Sequence, residues 1–190
     1  MKKQILTGCL VLSCGLVFIN PILTESVAAA VTKQQAVNPT QIKKIDEKNI
    51  ILLLLEAKKR YFYTFDGGKG KIEVFNVKNN EYRYLSTDIG TRKKLLNYLM
   101  KIFTKEASEV YIKERFIEHK GRMAQINADK GNILEFNKAT AKLIKNSSTI
   151  KEYQLSIPYP ENQSKPEIKT IKIKKVNGIW RIATPPEALF

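Results

Sequence analysis

Apolar residues recur with two different periods along the chain, and the change from one to the other falls near Phe116. Before that point the spacing is mostly helical. Asn38-Pro39-Thr40-Gln41 offers a capping side chain, a proline preset for the first helical position and a glutamine three residues after the cap, which predicts a helix from there to about Phe65. Its segment Ile50 to Leu55 is apolar all round and needs cover on most sides. Asp66-Gly67-Gly68 stops it, since glycine reaches the left-handed conformation that a helix end favours. Lys71 to Leu85 reads as a hairpin with Ile72, Val74, Tyr82 and Tyr84 at period two and Lys78-Asn79-Asn80 as its turn. Thr91 is placed to cap a helix whose Leu95, Leu96, Leu99, Ile102 and Phe103 form one stripe. Thr104 caps a further helix, ending near Arg115, that brings Ala107, Val110 and Tyr111 together.

From Phe116 the period shortens to two. Phe116 to Lys120 and Arg122 to Ile126 flank a Lys120-Gly121 turn, and Ala139 to Lys145 turns at Asn146-Ser147-Ser148 into Tyr153, Leu155 and Ile157. Pro158-Tyr159-Pro160 ends that strand. Glu167 to Val176 and Ile179 to Ala183 meet at Asn177-Gly178, the strongest short hairpin signal in the chain. Three helices followed by a run of strands, about eight in all, predict an α+β fold with mostly antiparallel strands in a single domain.

The N-terminal segment follows neither period. Lys2 and Lys3 precede an apolar run from Ile5 to Ile19, and Ser26-Val27-Ala28-Ala29-Ala30 offers the small residues of a cleavage site, so residues 1–30 read as a signal peptide. The run is shorter than the roughly 20 residues of a bilayer span, which argues against stable membrane insertion. Leu6-Thr7-Gly8-Cys9 resembles a lipoprotein box, but almost no apolar sequence precedes Cys9. Residues 31–37 are polar and read as a flexible tail, leaving 38–190 as the folded domain.

Cleavage near Ala30 removes both cysteines, Cys9 and Cys14, and with them cysteine nucleophiles, disulfides and Cys/His zinc sites. No cofactor or metal is expected. A Ser-His-Asp triad would rest on His119, which sits in a turn-like Glu118-His119-Lys120-Gly121 and reads as a solvated residue. Glu114 and Glu118, at i and i+4, form the one carboxylate pair worth weighing, and no convergent group supports it. Gly67-Gly68-Lys69-Gly70-Lys71 lacks the Lys-Ser/Thr ending and preceding strand of a phosphate loop. The chain thus reads as something other than an enzyme.

Charge is the strongest compositional signal: 33 Lys and Arg against 18 Asp and Glu give +15. The partners are therefore anionic. Lys165, Lys169, Lys172, Lys174 and Lys175 crowd the penultimate strand, where lysines would protect a sheet edge. A cytoplasmic chain of this charge would suggest nucleic acid. An exported one meets instead the teichoic-acid-bearing wall of a Gram-positive cell, so electrostatic contact with wall polyanions is expected and nucleic acid is not.

One segment stands out against the basic background. Met123 to Asn132 leaves a strand and becomes a long loop of small and polar residues, with Asp129 and then Glu135 as its acids. Asn127, Asp129, Gly131 and Asn132 are turn formers, so a plain connector accounts for the composition. Exposed loops on a rigid scaffold are nevertheless where binding function concentrates.

Tyr82-Arg83-Tyr84-Leu85-Ser86 before a Thr-Arg-Lys-Lys helix, Gly121-Arg122-Met123-Ala124-Gln125 with Asn127-Ala128-Asp129, and Ile179-Trp180-Arg181 together resemble the IseA family. Its members are secreted inhibitors of NlpC-type cysteine DL-endopeptidases, which cut peptidoglycan peptides during cell separation. The resemblance spans roughly Asn38 to Pro185. It implies three helices, one tight helical turn and eight strands, the turn falling on Ile133 to Phe136. It implies further that the loop Ile126, Asn127, Ala128, Asp129, Lys130, Gly131, Asn132 enters the enzyme's basic cleft. Asp129 would be the acidic tip, Gly131 would supply backbone freedom and Glu135 would support them. Here Asp129 lies between Ala128 and Lys130, where the family's aspartate has glycine on both sides. The alternative is a basic wall-associated binding module without inhibitory activity, the loop being a connector.

Mass spectrometry of the extracellular protein should find cleavage near Ala30 and no cysteine. A lipid-modified Cys9 or Cys14 at the N-terminus would overturn the signal-peptide reading.

Overall fold

Side-chain caps set where the helices begin. In the computed structural model, which describes residues 37–71, 73–128 and 131–190, Asp46 Oδ1 accepts the Asn49 N–H at 2.7 Å and opens α1, Glu47–Phe65. Thr91 opens α2, Arg92–Leu99, and Thr104 opens α3, Lys105–Arg115, each hydroxyl accepting a backbone N–H three residues on. The leader at 1–30, tail residues 31–36, Ile72, Asp129 and Lys130 lie outside the described residues.

The first helix starts later than the sequence predicts. Asn38 caps only a 3₁₀ turn at Pro39–Gln41, after which Ile42 is extended and buried. The reason is a distant partner: the Ile42 carbonyl accepts the Trp180 N–H at 2.9 Å, which a continuous helix would have prevented. α2 likewise stops before Ile102 and Phe103. Both remain buried, but the Ile102 carbonyl and the Thr104 N–H pair with Ile182 instead of extending the helix. On α3, Val110 is 40% exposed and Ser108 takes the buried position beside Ala107 and Tyr111, its hydroxyl donating to the Thr104 carbonyl.

Eight strands among the described residues form two antiparallel sheets. The first contains β1 (Val74–Val77), β2 (Asn80–Tyr84), β3 (Phe116–His119) and β4 (Arg122–Ile126) in the order β1-β2-β4-β3. The second is a meander of β5 (Thr140–Asn146), β6 (Ile150–Ile157), β7 (Glu167–Val176) and β8 (Ile179–Ile182). Asn177 and Gly178, at φ 50° and 79°, make the tight turn between β7 and β8. That turn corrects one expectation. Over residues 173–176 β7 is no edge, because β6 and β8 pair with it on either side, so Lys174 and Lys175 protect no edge; its first part, with Lys169, has β6 alone as a paired strand. The expected tight turn also shifts, from Ile133–Phe136 to a 3₁₀ turn at Phe136–Lys138. Leu134 and Phe136 are both buried with Ile133 63% exposed, an alternation that keeps this stretch extended.

The core lies where α1 meets the second sheet. Ile50, Leu53, Leu54 and Ala57 join Tyr153, Leu155, Ile157, Ile171, Ile173 and Ile182, with Leu95, Leu99, Tyr111 and Phe136 closing it. Ile51, Leu52 and Leu55 are half-buried, so the segment apolar all round is covered as its sequence requires. Ala36–Phe190 forms one compact unit.

The end of α1 explains its glycines. Gly67 and Gly68, at φ 84° and 88°, donate to the Thr64 and Tyr63 carbonyls and close the helix. Gly68 also lies so near Ser86 and Asp88 that a Cβ would sit 2.1 Å from Ser86 Oγ. Gly121, at φ 74°, has open space around it. Gly121→Ala should therefore cost only about 1–2 kcal/mol, the left-handed penalty. Gly68→Ala adds overpacking and should cost about 1–3 kcal/mol more. Urea unfolding of both variants checks this, and equal losses would refute the close-approach account.

Candidate functional site

The loop that leaves β4 is rooted on the C-terminal end of α1. In β4, Met123 and Gln125 face the interior, and Gln125 is fully buried. Its Nε2 donates to the Thr64 carbonyl at 2.9 Å and the Phe65 carbonyl at 2.7 Å. Its Oε1 meets no donor among the described residues, so Gln125 serves as a donor to carbonyls that the helix leaves open. Arg83, opposite Gln125 on β2, donates to the same Phe65 carbonyl and lies 3.5 Å from the Ala128 carbonyl. A cation at a helix C-terminus is also favoured by the helix dipole. The Arg115 guanidinium stacks over the Phe65 ring at 4.4 Å. Two guanidinium groups therefore flank the last residue of α1, directly under the start of the loop.

Each described loop residue can be placed on this base. Ile126 ends β4 opposite Tyr82 and is 46% exposed. Asn127 donates its N–H to the Glu81 carbonyl at 2.9 Å and its side-chain amide to the Glu81 carboxylate. Ala128 is exposed, and Asp129 and Lys130 lie outside the described residues. Gly131 is exposed, has no left-handed φ and has nothing within 4 Å of where a Cβ would stand. Its freedom is therefore unused in this conformation. Asn132 closes the loop, with Nδ2 donating to the Phe190 carbonyl and Oδ1 accepting the Leu134 N–H, both at 3.0 Å.

Two cavities undercut the descending limb. One of about 200 Å³ lies among Tyr61, Phe65, Arg115, Ala128, Asn132 and Phe190. The other, about 300 Å³, lies among Asn132, Ile133, Leu134, Tyr159 and Lys169. The limb thus hangs from Asn132 with little packed beneath it. Beyond it the chain is tied down again, since the Glu135 N–H donates to the Pro158 carbonyl at 2.9 Å and Lys58 Nζ to the Leu134 carbonyl at 3.3 Å. The Glu135 carboxylate pairs with Lys138 at 2.9 Å, which offsets its charge locally.

The catalytic candidates fall apart on inspection. His119 is not a solvated turn residue. It ends β3 half-buried, its Nδ1 hydrogen-bonded to the Tyr84 hydroxyl and its ring stacked on Phe75 at 4.2 Å. Glu114 and Glu118 do not share a helix face, because α3 ends at Arg115 and Glu118 belongs to β3. Among the described residues no group of three His, Cys, Asp or Glu could hold a metal ion, and no helix is long and apolar enough to cross a membrane.

The roots supplied by Arg83, Gln125 and Arg115 are what the sequence reading missed. One signal was present: Gln125 is a polar residue at a core-facing position of an alternating strand, which demands an internal partner.

Residues 41–186 match the family model described as IseA DL-endopeptidase inhibitor. A protein of Bacillus subtilis (strain 168), named "Uncharacterized protein YoeB", is 30% identical over 146 residues, covering 73% of this chain and 80% of its own length.

Replacing Gln125 by Leu keeps the volume but leaves the Thr64 carbonyl without its side-chain donor. A loss of about 0.5–1.5 kcal/mol per hydrogen bond is expected, because Gly67 still donates to Thr64 and Arg83 to Phe65. Hydrogen exchange should rise first at the end of α1 and in Asn127 and Ala128. Wild-type stability in this variant would show that the roots contribute nothing.

Proposed function

The chain belongs to the IseA DL-endopeptidase inhibitor family, and from that premise we propose that it is a secreted inhibitor of NlpC-type cysteine endopeptidases whose loop at residues 126–132 blocks the enzyme's cleft. The protein is an endopeptidase inhibitor and not an enzyme. Inhibition by occlusion asks for no catalytic group, only for a projecting segment on a rigid base. The observation that carries the reading is that base: Gln125 and Arg83 tie the start of the loop to the end of α1 while Asn132 ties its finish.

The electrostatics support the same reading. Asp129 stands on a chain of formal charge +15, so a basic cleft would be repelled by most of this surface and attracted at the loop. Lys130 beside it reduces that attraction and is a local determinant of which endopeptidases are bound. The basic body would hold the inhibitor in the anionic wall where such enzymes work, restraining wall turnover and cell separation. A wall-binding module without inhibition is the competing outcome.

The test is the residual activity of a purified NlpC-type DL-endopeptidase on peptidoglycan with the mature chain added. Asp129→Lys should weaken inhibition by about 2–5 kcal/mol, the usual loss when one partner of a buried interfacial charge pair is removed. Gly131→Pro should weaken it too, by fixing φ and removing a donor. Neither change should move the melting temperature by more than a surface substitution does. If both variants fold normally and inhibit like wild type, the loop is only a connector.

A further inference from the structure

The second sheet buries one face and leaves the other to solvent, and the register collects lysines of β5 and β7 and an arginine of β8 on the solvent side. Lys145 pairs with Glu152, which pairs with Lys172, so these three stand in one row. In the next row Ile150, Lys174 and Arg181 are opposite one another, and Lys142 stands in the row of Gln154 and Thr170. Lys142, Lys145, Lys172 and Lys174 are all exposed. The one acid among them, Glu152, is half-buried and lies 3.7 Å from Lys145. Lys172 and Lys174 lie where β7 has chain on both sides, so edge protection does not explain them, whereas Lys142 and Lys145 stand on the edge strand β5.

At the end of β7 this face runs into a cleft of about 340 Å³ between the β7–β8 hairpin and the start of α3. Lys105, Lys174, Lys175 and Arg181 line it against a single carboxylate, Glu106. The Arg181 guanidinium is fixed there, Nε donating to the Met100 carbonyl at 3.2 Å and Nη1 to the Thr40 carbonyl at 3.1 Å. Lys174 belongs to both the face and the cleft.

We propose that this face and cleft form a binding track for an extended phosphodiester polymer of the polyol-phosphate type. Two observations select that ligand, and a third places it relative to the loop. The cations are spaced by the sheet, about 7 Å between alternate residues of one strand and about 10 Å between next-nearest strands. That is too wide to clamp one phosphate and suited to successive charges of a long polymer. Among the described residues the solvent face carries Ile168, 57% exposed and in the row of Ser156, and no aromatic ring. Single-stranded nucleic acid is held by stacking its bases on aromatic side chains, so this face lacks what a nucleic acid would use. Finally, Glu167 lies at the loop end of β7 and Lys174 at the cleft end, seven residues apart. At about 3.3 Å per residue the cleft end of the track is about 23 Å from Glu167 and the Lys142 row about 10 Å from it.

The track deepens the wall-retention part of the proposed function and does not depend on the loop. Its test uses the mature chain and a defined poly(glycerol phosphate), with retention on purified cell walls measured alongside so that the two ideas can fail separately. One variant carries Lys142→Gln, Lys145→Gln, Lys172→Gln and Lys174→Gln. A second, matched in net charge, carries Lys48→Gln, Lys71→Gln, Lys93→Gln and Lys113→Gln, all exposed and elsewhere in the fold. Wild type should bind and lose at least about tenfold in affinity between roughly 50 and 200 mM salt, as counterion release requires. The first variant should lose at least tenfold more affinity than the second, both melting as wild type does. Equal losses would show diffuse charge and overturn the track. Tighter binding of oligothymidylate than of poly(glycerol phosphate), or no binding of the polymer by wild type, would overturn it as well.

Discussion

The last carbonyls of α1 end inside the protein, where water cannot satisfy them, and much of the first sheet is arranged to supply donors. Gly67 and Gly68 close two of the carbonyls with backbone N–H groups. Gln125 and Arg83 reach the Thr64 and Phe65 carbonyls from adjacent strands. Without those two side chains the Phe65 carbonyl would go unpaired, at a cost comparable to a lost hydrogen bond, and Thr64 would keep only its bond from Gly67. The same contacts fix where β2 and β4 lie relative to the helix. The point where the chain leaves β4 is thereby fixed too.

That constraint fixes where the chain passes from the core into the loop. Gln125 is fully buried while Ile126, one residue later, is nearly half exposed, so the change from core to solvent happens within a single residue. On the far side, Leu134 and Phe136 are buried again and the Glu135 N–H is bound to Pro158. Between these anchors Ala128, Gly131 and Asn132 line two cavities. A tight base with a loosely supported limb suits a segment that enters a cleft, because it limits the entropy lost on binding without filling the space the limb moves through.

Charge divides the molecule in a second way. Gly131 and Asn132 share a cavity with Glu167 and Lys169 at one end of the second sheet, while Lys172, Lys174 and the cationic cleft lie toward the other end. Like charges gathered on one wet face cost little when solvent screens them.

The sequence by itself determined the local features. The caps at Thr91 and Thr104, the glycine stop after Phe65, the Asn177-Gly178 turn and the order of helices and strands all act through residues a few positions apart. The loop was legible in the same way, as a long polar connector among short ones. The tertiary structure decided what depends on partners far along the chain. The α-helix begins at Glu47 rather than near Asn38 because Ile42 pairs with Trp180. The lysine-rich strand is internal over residues 173–176 because β8 folds back onto it, and His119 stacks on Phe75 because β1 and β3 belong to one sheet. Alternation shows that Gln125 faces inward and needs hydrogen-bond partners. Only the fold brings the end of α1 to it, since such a pairing is set by where whole elements pack and not by spacing along the chain.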